Sequence, residues 1–118
     1  MIILSGKLYY ELVKERNTRG LDEKVALIRI EELCPLPRGE VMRELGKFKH
    51  VTDLVWAQEE PQNAGAWMHV EPRLRPLLPI GHELRYVGRS TLPAPAVGTA
   101  VMHKQEVAKL YEDCFAGL

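Results

Sequence analysis

The chain has 118 residues with sixteen basic and sixteen acidic side chains, so its formal net charge is zero. Hydrophobic residues make up 46% of the sequence and charged residues 27%, which is ordinary for a globular domain and excludes a disordered or fibrous class. No segment combines clustered Lys and Arg with interleaved aromatic residues, so nucleic acid is not an expected partner. The length predicts one domain, spanning residues 1–118, with one core.

The cysteines and the apolar runs restrict the setting of the protein. Cys34 and Cys114 are too few for a disulfide framework, and the four histidines are scattered rather than placed at metal-ligand spacing. A reducing compartment is the simplest interpretation. No apolar run reaches the roughly 20 residues that a bilayer span needs, so no membrane association is expected. Because strand-like residues stand at position 2 onward, with no leading polar tail or cap, we interpret the chain as an excised segment.

Strand-like and helix-like patterns alternate from the start of the sequence. The run "MIILS" predicts a strand, Gly6 breaks it, and Leu8 and Leu12 in "KLYYELVKERNTRG" recur at helical spacing. The run "KVALIRIEEL" is apolar for most of its length and predicts a strand covered on both faces. Pro35 forbids the continuation of that strand.

The alternation continues through the middle of the chain. In "RGEVMRELGKF" the apolar residues recur at spacings of four and three, which predicts a short amphipathic helix, and "VTDLVWAQ" predicts the next strand. In "GAWMHVEPRLRPLL", Trp67, Val70 and Leu74 predict a helix. Pro72 is expected to kink this helix.

The last part of the chain predicts a strand, a loop and a helix. "HELRYVGR" alternates as a strand does, "STLPAPAVG" is a proline-rich loop, and "TAVMHKQEVAKLYEDCF" predicts a closing helix with Val101, Val107 or Ala108, and Tyr111 available for its inner face. The whole pattern predicts an α/β domain of three layers. Its sheet is expected to be mostly parallel or mixed, with about five strands flanked by helices, because parallel neighbours require crossover helices.

The predicted sheet gathers several segments at one edge, where a ligand of such a sheet binds. The carboxyl ends of its strands are Ser5, Cys34, residues 58–65 and Arg89. Glu59 and Glu60 are adjacent, so on an extended backbone they point in opposite directions and do not share an acid/base site. We interpret them as structural or contact residues, with one carboxylate at a helix N-terminus and the other solvated or paired with an arginine.

The other polar groups at this edge offer no catalytic set. His69 and His103 lie in apolar-periodic segments and are expected to be partly buried helix residues. Cys34 precedes a proline rather than a helix, which favours an inert, nearly buried thiol over a nucleophile. Neither GxGxxG nor GxxxxGK[ST] occurs, so phosphate binding at "NAGAW" or beside Lys7 is not favoured.

One cation and several apolar residues are candidates for contacts. Arg89 is the cation best placed to bind a carboxylate or phosphate, and its alternative role is an ion pair across a domain boundary. Trp56, Trp67 and Pro61, with the proline-rich loop, are expected to concentrate apolar surface around the strand ends. Such a surface is typical of a subunit or domain interface.

Four blocks of the sequence together carry a family resemblance: "VALIRIEELCPLP", "HVTDLVWAQEEPQNAGAW", "LRYVGRSTLPAPAVG" and "HKQE". In order and spacing they resemble the C-terminal domain of the thiamine-diphosphate-dependent decarboxylating component of 2-oxoglutarate dehydrogenase and of its 2-oxoadipate-preferring relatives, over residues 2–115. The resemblance implies a fold like the transketolase C-terminal domain. In this family the upstream domains hold thiamine diphosphate, the catalytic histidines and the magnesium ligands, so it implies a scaffold role here, with no catalytic, cofactor or metal site.

The resemblance also implies partners and contact residues. The parent enzyme would decarboxylate a 2-oxo acid oxidatively and pass the acyl group to a lipoyl arm on the second component of the complex. This domain would pack on the upstream catalytic domains and on the homodimer partner, in the bacterial cytoplasm or the mitochondrial matrix of a eukaryote. The implied contact or effector residues are Glu59, Glu60, Gln62, Asn63, Gly65, Trp67 and Arg89, and Pro95 and Gly98 are further motif positions.

Two functional hypotheses follow. The first is a structural and dimer-contact domain that is inactive alone. The second is a regulatory module of the same enzyme that binds an acyl-CoA or nucleotide effector near Arg89 and the helix that follows Gly65. A small independent hydrolase that uses Glu59 or Cys34 would need a nucleophile and base pair, which the sequence does not offer.

Overall fold

The computed structural model describes residues 1–48, 50–51, 53–89 and 100–117, which form one parallel sheet with helices on both faces. Its strands are β1 (Ile2–Leu4), β2 (Leu27–Arg29), β3 (Asp53–Pro61) and β4 (Glu83–Arg89), and its helices are α1 (Leu8–Thr18), α2 (Arg38–Lys47), α3 (Trp67–Leu74) and α4 (Ala100–Cys114). The predicted α/β class and layered parallel sheet are confirmed. Within the described residues the sheet has four strands rather than about five.

The strand order is β2-β1-β3-β4, and every neighbouring pair runs parallel. In the centre, Ile3 of β1 lies between Ile28 of β2 and Trp56 of β3, and Trp56 is also in register with Tyr86 of β4. The three residues of β2 are only half-buried. Leu27 and Ile28 pack against the clusters on opposite faces of the sheet, as predicted for a strand covered on both faces. They are only half-buried because, within the described residues, β2 has a neighbouring strand on one side only.

Two apolar clusters fill the space on the two faces of the sheet. Ile2 and Leu4 of β1 pack with α1 and α4, whereas Ile3 points to the opposite face and packs with α2 and α3. This alternation follows from the period of two in a strand. Because helices cover both faces, all three residues of β1 are buried and the strand reads as a continuous apolar run.

The helix α3 accommodates one proline and ends before the next. Pro72 lies inside α3, whose buried side chains are those the sequence predicts, Trp67, Val70 and Leu74. A short 3-10 turn at Arg75–Leu77 follows and contains the second proline. No helix in the described parts of the chain is long and apolar enough to cross a membrane.

The closing helix α4 packs through its second half. Leu110 and Cys114 are its buried residues, and Phe115 just beyond it is buried as well. Val101 is 66% exposed, so its prediction as an inner-face residue is wrong. The physical reason is that residues 100–105 are all exposed, and the buried residues of α4, Leu110 and Cys114, belong to its later turns. The proline-rich loop, with Pro95 and Gly98, lies outside the described residues.

Candidate functional site

The candidate site is the carboxyl-edge turn, which we define as residues 58–67 between β3 and α3. β3 does not stop at the two glutamates but continues to Pro61, with an irregular register between Ala57 and Pro61. The backbone N–H of Gln62 then donates to the Arg89 carbonyl at 3.0 Å. Gly65, at φ +65°, supplies the left-handed conformation that redirects the chain into α3.

Gln58 organises the turn from its centre. Its side chain is buried, and its Oε1 accepts hydrogen bonds from the Trp56 indole N–H and from the backbone N–H of Trp67, both at 2.9 Å. Its Nε2 donates to the carbonyls of Pro61 and Ala64, also at 2.9 Å. Because Trp67 is the first residue of α3, Gln58 satisfies a helix-start N–H that no N-cap side chain serves.

Tyr86, on β4, stabilises the turn through hydrogen bonds and ring packing. Its hydroxyl donates to the Arg89 carbonyl at 2.6 Å and lies 3.1 Å from the Glu60 carbonyl, while its ring packs against Trp67 with 5.3 Å between centroids. Burial raises the pKa of the Tyr86 hydroxyl to about 12. Gly88 makes room for this arrangement, since a Cβ there would overlap the Tyr86 hydroxyl and lie 2.7 Å from the Gln58 carbonyl oxygen.

The two glutamates face different surroundings. Glu60 lies against Gly65, where a Cβ would come within 2.9 Å of its Oε2, so its carboxylate stands beside the start of α3. This is the place predicted for one of the pair. Glu60 is exposed, and it has no ion-pair partner among the described residues.

Glu59 points to the side of the sheet covered by α1 and α4. Its Oε1 lies 4.0 Å from the Lys7 ammonium, so its partner is a lysine rather than the expected arginine. Burial raises the pKa of the Glu59 carboxyl, and Lys7 opposes that rise. The separation of the two carboxylates leaves them without the shared proton on which a catalytic dyad depends.

A cleft of about 500 Å³ opens beside the turn, between the end of β1 and the start of α3. Its lining includes Ser5, Cys34, Gln58, Glu60, Ala66 and His69. The Nε2–H of His69 donates to the Leu33 carbonyl at 2.6 Å, which fixes the ring against the loop after β2. His69 therefore serves as a structural donor in this cleft.

Two of the predicted polar residues are more exposed than expected. The thiol of Cys34 is exposed, so the prediction of a nearly buried group is wrong. The physical reason is that the loop after β2 buries Leu36 in the core, whereas Cys34 lies with its exposed neighbours Glu32 and Pro35 on the outer side. His69 is half-buried as expected, whereas His103 is exposed because the first turns of α4 stand clear of the sheet.

Arg89 is engaged inside the domain. Its Nε lies 2.6 Å from Oε2 of Glu106 on α4, and its side chain is only 13% exposed. Within this chain, the ion pair of Arg89 joins β4 to α4. Gln62 lies close to Arg89, because the backbone N–H of Gln62 donates a hydrogen bond to the Arg89 carbonyl. Asn63 is exposed at the tip of the turn.

The apolar residues expected at the surface of this edge are in the core. Trp56 and Pro61 have less than 2% of their surface exposed, and Trp67 has 8%. The indole of Trp56 reaches Gln58, and that of Trp67 packs on Tyr86, so both rings are used to build the turn. The prediction that they form an exposed contact surface is wrong. What the turn presents outward is polar, namely Glu60 and Asn63.

Gln58 and Tyr86 are the two site residues that the sequence reasoning missed. A signal for Gln58 exists, because it is a polar residue at the end of an apolar run and directly before a segment with Pro61, Asn63 and Gly65, which are typical of turns. Tyr86 gives no comparable signal. Its role depends on the strand register that places it opposite Trp56.

The turn does not fit a diphosphate or a metal ion. The first N–H of α3 is occupied by Gln58, and the Glu60 carboxylate beside Gly65 repels an anion. In the ranges that the structure describes, no three His, Cys, Asp or Glu side chains are grouped to hold a metal. The arrangement therefore suits noncovalent contacts with hydrogen-bonding or cationic groups.

Comparison with known proteins assigns the family. A profile described as 2-oxoglutarate dehydrogenase C-terminal matches residues 1–115. The chain belongs to this family. The match confirms the resemblance carried by the four sequence blocks, and it places the carboxyl-edge turn inside the 2-oxoglutarate dehydrogenase C-terminal region.

Individual relatives of this family domain are much longer than the chain. The chain is 48% identical to the 2-oxoadipate dehydrogenase complex component E1 of Rattus norvegicus over 107 residues, which cover 90% of the chain and 11% of that protein. The human protein of the same name is 44% identical over 117 residues, or 98% of the chain and 12% of the relative. The 2-oxoglutarate dehydrogenase E1 component of Haemophilus influenzae is 39% identical over 116 residues, again 98% and 12%.

Proposed function

We propose that this domain is the C-terminal contact domain of a longer E1-type enzyme that decarboxylates a 2-oxo acid oxidatively with thiamine diphosphate. In this proposal residues 1–118 form one domain that packs on the upstream catalytic domains and on a homodimer partner. The enzyme would pass its acyl group to the lipoyl arm of a second component. Its compartment would be the bacterial cytoplasm or the mitochondrial matrix.

The observation that carries the proposal is how the carboxyl-edge turn is built. Its backbone is fixed from inside by the buried side chain of Gln58 and from the side by Tyr86, yet no nucleophile and base pair is formed by the described residues of the turn. A rigid backbone that presents Glu60 and Asn63 outward suits recognition by another protein surface, because little conformational freedom is lost on association.

The electrostatics of the turn favour a partner with positive charge. The Glu60 carboxylate lies beside the start of α3 with no ion-pair partner among the described residues, and Glu59 is held only at 4.0 Å by Lys7. An Arg or Lys side chain from a neighbouring domain or subunit would complete this arrangement. We therefore include Glu59, Glu60, Gln62, Asn63 and Gly65 among the contact residues.

Thiamine diphosphate and magnesium belong to the upstream part of the parent enzyme in this proposal. The test is a calorimetric titration of the 118-residue chain with thiamine diphosphate and Mg²⁺. We expect no saturable heat. Saturable binding with a stoichiometry near one would overturn the contact-domain proposal, since the cofactor would then have a site in this domain.

The effector-module alternative has a test of its own. Arg89 would have to leave Glu106, which lies 2.6 Å away, before it could bind an acyl-CoA or nucleotide phosphate. No observation on this edge favours that exchange. A thermal-shift experiment decides it: a ligand-induced rise in melting temperature that Arg89→Ala abolishes supports the alternative, and an unchanged melting temperature supports the contact domain.

A further inference from the structure

The opposite edge of the sheet carries an apolar groove that the proposed function does not use. This amino-edge groove encloses about 380 Å³ and is lined mainly by Met1, Met42, Leu45, Phe48, Leu77 and Pro79. Met42 is 55% exposed, and Ile80, next to Pro79, is fully exposed. Apolar side chains concentrated and exposed in this way indicate a surface that another polypeptide covers.

The backbone at the groove is arranged to continue the sheet. The amino nitrogen of Met1 donates to the Asp53 carbonyl at 3.0 Å, and the Met1 carbonyl accepts from Val55 N–H at 2.9 Å. These are positions of a strand ladder. Met1 is therefore already paired with β3 one residue before β1 begins.

A polar atom in the groove also lacks a partner. The Nδ1 atom of His82, a residue that lines the groove, is buried and has no hydrogen-bond partner among the described residues. Buried nitrogen atoms are normally paired. A backbone N–H or carbonyl of a segment lying in the groove could supply the missing partner, depending on the tautomer of the ring.

We propose that the amino-edge groove binds the polypeptide segment that directly precedes residue 1 in the full-length protein. The segment lies in the groove in extended conformation, with its apolar side chains toward Met42 and Leu77. This inference rests on the proposed function, in which the domain is C-terminal. The supporting fact is that the relatives have nearly nine-tenths of their length outside the matched region, since the matches cover 11–12% of them.

The length needed is short. About ten residues in extended conformation span about 33 Å, and the domain measures 41 × 32 × 24 Å along its principal axes. A short upstream segment is therefore sufficient to cross the groove. A further domain is not required to cover it.

Methionine oxidation footprinting tests the proposal with probes that the chain already contains. Met42 reports on the groove, and Met68, which is 68% exposed on α3, is the reference for the short and the extended chain. Three proteins are treated with dilute peroxide and analysed by mass spectrometry: the 118-residue chain, the chain extended by about ten of its natural preceding residues, and the full-length protein. We expect Met42 to oxidise about fivefold more slowly in the extended and full-length proteins than in the short chain.

Two outcomes would overturn the proposal. One is equal oxidation of Met42 in all three proteins, and the other is protection in the full-length protein alone, which would mean that a different part of the protein covers the groove. As a second readout, Met42→Gln should lower the melting temperature of the extended protein but not of the short chain. Thiamine diphosphate binding by the chain would overturn the proposed function without altering this footprint, so the two failures are distinguishable.

Discussion

The side-chain oxygen of Gln58 accepts a hydrogen bond from the backbone N–H of Trp67 across the cleft wall, at 2.9 Å. This bond joins the end of β3 to the first residue of α3. Through the same side chain, the carbonyls of Pro61 and Ala64 are also fixed. The conformation of the whole turn therefore depends on one buried amide.

Replacing Gln58 by leucine should destabilise the domain by about 2–6 kcal/mol, because two buried N–H donors would lose their acceptor at about 1–3 kcal/mol each. Urea denaturation followed by tryptophan fluorescence measures the change. Gln105→Leu is the matched control, since Gln105 is exposed on α4 and the same substitution there should alter the free energy of unfolding by less than about 0.5 kcal/mol. Equal effects at the two positions would contradict the role of Gln58.

Gly88→Ala should destabilise the domain by about 2–3 kcal/mol, because its Cβ would overlap the Tyr86 hydroxyl and the Gln58 carbonyl. The Gln58 carbonyl is backbone and cannot move aside. Gly46→Ala in α2 is the control: a Cβ there meets nothing within 4 Å, and alanine favours a helix by about 0.5–1 kcal/mol. Chemical denaturation should thus give changes of opposite sign, and a neutral Gly88→Ala would refute the close approach.

Gly65→Ala and Gly20→Ala together isolate the contact between Gly65 and Glu60. The two glycines have φ values of +65° and +67°, but only Gly65 has atoms near its missing Cβ. Each alanine should cost about 1 kcal/mol for the left-handed backbone, and Gly65→Ala about 1 kcal/mol more, because the Glu60 Cβ at 3.0 Å is fixed by its strand. Thermal or urea unfolding would show the excess, and equal costs would mean that Glu60 does not press on this position.

The stability of the domain should fall above pH 9. Burial raises the pKa of the Cys114 thiol from 9.0 to about 12, so between these values the unfolded chain loses a proton that the folded chain retains. The contribution is fully present below pH 9 and is lost as the pH rises toward 12. Burial also raises the pKa of the Tyr86 and Tyr111 hydroxyls from 10.0 to about 12, which adds to the decline above pH 10.

The measurement is the urea unfolding free energy of the wild type and of Cys114→Ala from pH 8 to pH 11. Cys114→Ala should show a shallower decline between pH 9 and pH 10. Cys34→Ala is the control for loss of an exposed thiol and should keep the wild-type decline. An identical slope in all three proteins would show that Cys114 is not the titrating group.

Much of the fold could be predicted because its signals are local. The apolar run of β1 and the helical spacing of Trp67, Val70 and Leu74 gave the correct elements and the correct buried faces. Both patterns reflect burial against a neighbouring layer. That burial is strongest in the centre of the sheet, where the prediction was best.

The errors lie where tertiary position, rather than local pattern, decides exposure. The run around Leu27 predicts a buried strand, yet β2 is only half-buried, because among the described residues it lies at the edge of the sheet with one neighbouring strand. Val101 fits a helical apolar stripe, but its turn of α4 does not reach the sheet. Neither fact can be obtained from hydrophobic periodicity, which reports a face but not what covers it.

In the candidate site, too, local sequence pattern locates the residues but does not determine their exposure. The turn was located by its glutamates and by Gly65, all of which the sequence marks clearly. The position of the tryptophans near a turn predicts exposed contact anchors, whereas their rings fill the core beneath the turn. The buried hydrogen bonds of Gln58 that hold the turn depend on three-dimensional proximity across nine residues to Trp67.

The central claim, that the carboxyl-edge turn makes contacts rather than performing chemistry, is tested most directly with Glu60→Gln in the full-length enzyme. Glu83→Gln is the matched control, an exposed carboxylate at the opposite edge of the sheet. Analytical ultracentrifugation should show that Glu60→Gln raises the dimer dissociation constant about tenfold, equivalent to about 1.4 kcal/mol, with kcat per dimer unchanged and Glu83→Gln like the wild type. A fall in kcat with an unchanged dissociation constant would contradict the account.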